Sequence, residues 1–519
     1  MTIKSLLKPS EYHDSVSLML VARELSQLEG IRDAAVVMAT EANKSILADA
    51  GMLTPDAREA TPNDLLIAVN AENDSLADSA LQKVEGLLKR KASVYKTGEF
   101  RPKTIRGARS QQPDANVAVI SVAGRYATDE AWDALQHGIH VLLFSDNVSI
   151  QDEIELKKYA SEQGLLLMGP GAGTAIINHV ALGFANVVPS GPVGIVSAAG
   201  TGLQEVCTLL ARRGVGISQC IGTGGRDLKK EVGGIMMLEG LKALQQDTAT
   251  EVLVLISKPP ADEVTKKILE QVAASDKPTV VCFLGGDTTL KKGIRNLLPT
   301  RTLFECALLA AQTARPEIGD ISTFIEEENA ELQEKANLLK PKLKPAQRYL
   351  RGLYSGGTLC YEAQVIWRDM GIQPVYSNAP LPGGEVLENS MKSNQHTAVD
   401  LGEEEFTVGR PHPMIDNALR VRRLLQEAQD HEVRVILLDV VLGYGAHSDP
   451  ASELGKAVEE ARRIRYSEKR ELLVVASVTG TEDDSQGFSQ SKSTLEAADV
   501  VVCDSNAAAA RLTGLLVSG

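Results

Sequence analysis

The sequence predicts an α/β protein: several doubly wound parallel-sheet domains behind a small N-terminal α/β module. Three observations predict it. Short, nearly continuous apolar runs alternate with amphipathic stretches, as in sheets covered on both faces by helices. Hydrophobic residues make up 43% of the chain and aromatics only 4%, so Ala, Val, Leu and Gly fill the cores. A strand-to-helix corner also occurs twice. "VSAAGTGLQE" from Val196 aligns with "LYSGGTLCYE" from Leu353, placing Gly357 on Gly200, Thr358 on Thr201 and Glu362 on Glu205.

The 519 residues suggest three or four domains at about 150 residues each. Residues 1–92 read β-α-β-α-β-α, a small α/β or ferredoxin-like module with strands "TIKSLLK", "DAAVVMA" and "DLLIAVN". Residues 93–116 are polar and basic without apolar periodicity, and are read as a linker. Residues 117–190 form half of a doubly wound fold, with strands "VAVISVAG" and "HVLLFSD". Residues 191–325 repeat that logic through "VGIVSAAG", "GISQCIGTGG", "VLVLISK" and "TVVCFLGG". Residues 326–347 are a charged linker, and 348–519 begin the pattern again at "YLRGLYSGG".

The repeat extends past the opening pair. "EVLVLISK" from Glu251 parallels "EVRVILLD" from Glu432, and "TVVCFLGG" parallels "LVVASVTG". The copies are 157 residues apart at the glycine corners and 181 at the following strands, so the second carries about 24 extra residues. That insertion, expected as a loop, includes much of "HTAVDLGEEEFTVGRPHPMID".

Composition narrows the function classes. The net charge is −14 and no basic run suits nucleic acid. The acidic run Glu326-Glu327-Glu328 reads as a solvated face. Six cysteines without a CxxC pair read as reduced thiols in a cytoplasmic protein. The N-terminus lacks a signal-peptide core, and no apolar run approaches the roughly 20 residues of a membrane helix. No metal-ligand spacing is present and no metal is expected; a GxxxxGK[ST] nucleotide loop is absent too.

The candidate chemistry lies at strand ends. A strand followed by Ala199-Gly200-Thr201, or by Gly356-Gly357-Thr358, and then by a helix presents unpaired N–H groups to an anion, or is a tight turn with a cap. Two such corners facing each other would clamp a phosphate. "IGTGGRD" offers Gly224 and Gly225 as a second anion nest, with Arg226 for a phosphate or carboxylate, or for a neighbouring acid. Lys258 ends a buried strand where ligands bind in such sheets, or it snorkels into solvent; Asp439 takes the matching place in the second copy. "GRPHPMID" holds Arg410, His412 and Asp416 between prolines, as a general-base and carboxylate site or as a rigid loop. His447 and Cys360 read as structural.

These segments resemble a known family. "GPVGIVSAAGTGLQEV" with "IGTGGRDL" is similar to the ligase domain of the succinyl-CoA synthetase α-subunit. The run from "VLLFSDNVSIQDE" to "GPGAGT" is similar to the end of its CoA-binding domain. "SDNVSIQDE", "GTAIIN", "LISKPPA", "RGLYSGGTLCYEA" and "GRPHPMID" identify the chain as a member of the FdrA acyl-CoA synthetase family, in its shorter YahF-like branch. The resemblance implies a Rossmann-like CoA-binding-type domain at 117–190 and two duplicated flavodoxin-like ligase lobes. It implies activation of a small carboxylate or carbamoyl compound through phosphate or an acyl phosphate. In the synthetases a phosphohistidine follows the strand resembling "TVVCFLGG". Here "DTTLKKGIRNLL" carries no histidine, and Lys258 stands where a glutamate steadies that histidine. The resemblance leaves open a CoA ligand, and a carbamoyltransferase subunit converting oxalurate and phosphate to oxamate and carbamoyl phosphate. A non-catalytic anion-binding subunit is a further option. Companion subunits or a homo-oligomer are expected, with neither nucleic acid nor membrane as partner.

Overall fold

The computed structural model describes residues 2–9, 11, 15–26, 28–40, 43–44, 47–48, 51–92, 102–122, 124–286, 293–407, 411–467 and 470–518. The chain divides into two compact units, one of 1–113 with 403–412 and one of 114–402 with 413–519.

In the first unit, β1 (Thr2–Lys8), β2 (Ile31–Met38) and β3 (Leu65–Ala71) form an antiparallel sheet in the order β1-β3-β2. Helices α1 (Ser15–Ser26) and α2 (Asp74–Ala92) supply Leu18, Val21, Ala77 and Val84 to its core. Residues 93–101 of the expected linker lie outside the described residues, but Ile105–Gln111 form a helix, α3, capped by the Thr104 hydroxyl.

In the second unit, β4 (Val117–Ile120), β5 (His140–Leu143) and β6 (Leu167–Met168) make a three-stranded parallel sheet, with α4 (Gly124–Gln136) and α5 (Ile150–Glu162) between its strands. The expected boundary at 190 falls inside a different sheet. The hairpin β7 (Thr174–Ile177) and β8 (Val180–Gly183) pairs antiparallel onto the edge of the first lobe.

That lobe contains β9 (Ser190–Ser197), α6 (Gly200–Arg212), β10 (Ile217–Gly222), α7 (Ile235–Gln246), β11 (Val252–Ser257), α8 (Asp262–Ala273), β12 (Thr279–Phe283), β13 (Leu297–Thr300) and α9 (Leu303–Ala314). Its strand order is β13-β12-β11-β9-β10-β7-β8. The five parallel strands thus follow the flavodoxin-like 2-1-3-4-5 order, and the central β11 and β12 are buried along their whole length.

The second lobe contains β14 (Tyr349–Tyr354), α11 (Gly357–Asp369), β15 (Val375–Ser377), β16 (Glu385–Val386), β17 (His396–Asp400), α12 (Ala418–Gln429), β18 (Val433–Val441), α13 (Pro450–Ser467), β19 (Leu473–Thr479), α14 (Phe488–Ala497), β20 (Val501–Cys503) and α15 (Asn506–Val517). All its strands are parallel, in the order β16-β15-β17-β14-β18-β19-β20. The stretch expected as an inserted loop is therefore partly a strand. Residues 396–400 are β17, which takes the place beside β14 and leaves β15 and β16 to extend the edge.

The expected linker 326–347 is mostly helix as well. Helix α10 (Ile321–Leu339) buries Leu332 and Ala336 in a core drawn from both lobes. Its acidic run is only partly solvated: Glu326 and Glu327 are exposed, whereas Glu328 faces Arg511 at 3.6 Å and burial pushes its carboxyl to about 7. The shared core joins Leu203, Val206 and Leu210 of α6 to Leu359, Ala363 and Trp367 of α11. Trp367 donates its indole N–H to the Ala510 carbonyl at 2.9 Å.

A buried charge cluster fixes β14 to α12. Glu427 accepts from Arg351 Nε at 2.9 Å and from Arg423 Nε at 2.6 Å, and all three side chains are at most 3% exposed. Removing the central carboxylate leaves buried Arg423 without its carboxylate, while Arg351 keeps Asp430 at 2.8 Å. Glu427→Ala is expected to lower unfolding free energy by about 3–5 kcal/mol in chemical denaturation.

Candidate functional site

Both glycine corners end a first strand and open a helix without a capping side chain. Helix α6 starts after Ala199 and α11 after Gly356; both cap residues are extended, and neither makes a side-chain cap bond. Among the described residues, backbone bonds of the first turns run from Leu203 N to the Ala199 carbonyl and from Cys360 N to the Gly356 carbonyl, both at 2.9 Å. The amides before them are the donors a helix start leaves unused. The corners abut. A Cβ on Gly356 would lie 2.8 Å from Thr201 Oγ1 and Cγ2, and a Cβ on Gly202 would lie 2.7 Å from Thr358 Cγ2. Thr201 and Thr358 are buried by this contact.

The two corners differ in charge. Gly200 is exposed, with open space where a side chain would begin. At Gly357 the corresponding position is taken by Asp400 Oδ2, 2.3 Å from an ideal Cβ. Below it, Asp439 accepts from Ser355 N and Gly356 N, each at 2.8 Å, and pairs with buried Arg420 at 3.0 Å. The first-lobe equivalent of Asp439 is Lys258, whose exposed ammonium crosses to lie 5.3 Å over the Tyr361 ring of α11. The open amide end thus belongs to the first corner, while the second has two carboxylates against it and the Lys258 ammonium beside its helix. Cys360 between them is buried; burial, with Asp400 adding, pushes its thiol well above the ordinary range.

Each lobe also caps the other. Glu205 of α6 accepts from Asn506 N at 3.0 Å, the first residue of α15, and from the Thr479 hydroxyl. Glu362 of α11 accepts from Leu303 N at 2.6 Å, the first residue of α9, and from Asn506 Nδ2 at 2.8 Å. These are the residues the repeat aligns, and each closes the last helix of the opposite lobe. Burial raises both carboxyls, Glu362 to about 7, with Glu205 opposing its ionisation as well.

Other candidates have different surroundings. Arg226 bonds Glu153 Oε2 at 2.8 Å and the Val148 carbonyl at 2.8 Å, joining α5 to the "GTGGRD" turn. The same turn holds buried Lys157, which reaches Glu153, Asp227 and the Thr223 carbonyl within 2.9 Å. Gly224 packs on the Pro170 carbonyl, and Gly225 is exposed. Asp416 Oδ1 accepts from Ala418 N at 2.7 Å at the start of α12. His447 is held between Glu453 and the Asp449 amide. His412 is half-buried and belongs to the first unit, while the paired corners belong to the second; Arg410 lies outside the described residues. Sequence reading missed Asp400 and gave no meaning to Glu205 and Glu362, although their alignment marked them.

The fold and the abutting corners define a two-lobed protein of the CoA-ligase type. The CoA-ligase family matches residues 353–516 and the CoA binding domain residues 190–285. The second match covers the sheet expected as the first ligase lobe rather than residues 117–190. Residues 1–102 match "AllF, heavy metal-associated domain"; that stretch contains no cysteine, and no cluster of three or more His, Cys, Asp or Glu suited to a metal occurs among the described residues. The chain belongs to the succinyl-CoA synthetase-like family that includes the uncharacterized protein YahF of Escherichia coli (strain K12), with which it is 42% identical over 98% of its own length and 97% of that protein's.

It is 29% identical over 184 residues to the succinate–CoA ligase [ADP-forming] α-subunit of Methanothermobacter thermautotrophicus, spanning 34% of this chain and 60% of that subunit. Among solved structures, the apo dinucleotide-forming acetyl-coenzyme A synthetase 1 of Ca. Korarchaeum cryptofilum aligns over 81% of this chain and 86% of its own, at 15% identity and a TM-score of 0.31. No helix among the described residues is long and apolar enough to cross a membrane.

Two outcomes test this geometry. Gly356→Ala must separate the corners, and is expected to cost about 1–3 kcal/mol in chemical denaturation. Glu362 holds a proton in the native state that the unfolded chain releases between its ordinary value of 4.5 and about 7. Its contribution is full below 4.5 and is lost as pH rises through that window. Glu362→Gln should flatten that part of the stability–pH curve, leaving the slope of the same sign from Glu328.

Proposed function

We propose that the chain activates a small carboxylate or carbamoyl compound through phosphate or an acyl phosphate held at the paired corners, without a phosphohistidine. The carrying observation is the contact between two uncapped helix starts, with the Lys258 ammonium reaching from the first lobe across to Tyr361 near the start of α11. The amides from Gly200 to Gly202 and the Thr201 hydroxyl would hold the anion, and Lys258 would offset its charge. The stretch from Gly285 to Thr302 contains no histidine, so phosphate would stay on the ligand. Coenzyme A is a candidate co-substrate by family membership alone, and no step in this scheme requires it.

A second reading, within an FdrA-type branch, is a carbamoyltransferase subunit exchanging carbamoyl between oxalurate and phosphate. Asp400 beside Gly357 favours it, because a buried carboxylate accepts hydrogen bonds from a carbamoyl NH2 group and repels a second phosphate. Companion subunits, or further copies of this chain, would complete either enzyme.

Incubation with γ-labelled nucleoside triphosphate is expected to leave no acid-labile phosphate on the protein. Inorganic phosphate and carbamoyl phosphate should raise the melting temperature, and Lys258→Gln should weaken phosphate binding by about fivefold. A response to coenzyme A with none to either phosphate rejects the phosphate-site scheme.

A further inference from the structure

The crossed carboxylates lie directly behind the paired corners. Glu205 lies three to five residues beyond the open amides of α6 and Glu362 the same beyond those of α11, so each sits about 4.5–7.5 Å along its axis from them. Both are at most 1% exposed, and Asn506 lies between them, bonded to each. Its Oδ1 is buried without a hydrogen-bond partner, an arrangement uncommon in a folded core. Its Nδ2 donates to the Leu359 carbonyl at 3.0 Å as well as to Glu362 Oε2, so both amide hydrogens are used and the orientation is fixed.

Charges of both signs surround the pair. Facing Glu362 are Glu205 of α6, the Leu303 amide of α9, Cys282 of β12, Tyr354 of β14, and Asn506 and Arg511 of α15. Facing Glu205 are Arg212 of its own helix, Arg213 just after it, Glu362 of α11, Asp439 of β18, Thr479 of β19 and Asn506. Burial is the largest cause raising each carboxyl.

We propose that anion binding at the paired corners is coupled to proton uptake by the crossed pair Glu205 and Glu362, principally by Glu362. An ionised carboxylate behind a helix start opposes the negative charge that the amides attract, and a protonated one does not. Linkage makes the effect reciprocal: an anion at the corner favours the protonated carboxyl as much as the proton favours the anion. The inference rests on the phosphate-site reading above and adds to it an internal proton acceptor that moves with the ligand. A phosphorylated substrate entering this site brings a proton into the interior, and its departure releases one.

Sulfate is the suitable probe, because its charge is constant across the relevant range. Calorimetric titration of the full chain is expected to show about tenfold weaker sulfate binding at about pH 8.5 than at about pH 6. Repeating the titration at about pH 7 in buffers of different ionisation enthalpy should reveal net proton uptake. Glu362→Gln should remove most of both effects, and Glu205→Gln a smaller part; circular dichroism melts check that each variant is folded. Sulfate binding with the same pH dependence in wild type and folded Glu362→Gln overturns the proton coupling while leaving the anion site intact. Absence of sulfate binding at every pH overturns the anion site itself, and this inference with it. If Glu362→Gln does not fold, the buffer series on the wild type decides: no net proton uptake refutes the coupling.

Discussion

Neither lobe finishes its own last helix. The first donor of α15 is met by Glu205 from α6, and the first donor of α9 by Glu362 from α11. A buried N–H without a partner costs about 1–3 kcal/mol, so separating the lobes would expose or orphan both helix starts together with the core between them. This reciprocity places α6 and α11 side by side with matching ends, and the contact of Thr201 with Gly356 follows from it. The site geometry is thus set from behind, by interior carboxylates, more than by the residues that line it.

Duplication explains the shape, and divergence explains the polarity. Both lobes keep the same run of parallel strands on one side of the first strand, β11-β12-β13 beside β9 and β18-β19-β20 beside β14, and both place a glycine corner after that first strand. At the equivalent third strand one lobe presents Lys258 and the other Asp439. Asp439 takes up the Ser355 and Gly356 amides and holds Arg420 beneath the sheet edge, so the second corner is neutralised internally. The first lobe has Lys258 at that place, and its ammonium reaches across to Tyr361 of α11. A duplicated scaffold has therefore become unequal in charge at its two corners.

Much of this was readable from the residues, for identifiable reasons. The apolar runs and their glycine ends mark strands because strands buried on both faces tolerate little else, and β9, β11, β12, β14 and β19 appear as read. Aligning "GTGLQE" with "GTLCYE" placed Glu362 on Glu205, but periodicity reports only that a position is internal. Which helix of the other lobe it meets depends on how the sheets pack. The same limit hid the partner of Arg226, since Glu153 lies in another sheet's helix. The stretch from His396 to Asp400 looked like a loop because its polar flanks outweigh a short strand, and its final aspartate was overlooked for that reason. The charged helix α10 resembled a linker because only Leu332 and Ala336 of its length are fully interior.

Helix α10 has one more implication. It runs between the lobes while packing on their common core, so each first-lobe surface always has its mate tethered at high local concentration. Where two separate polypeptides must find each other, their pairing depends on the supply of both; here the ratio is fixed at one to one by translation. Dilution cannot part the halves, and neither half is left to choose a different mate.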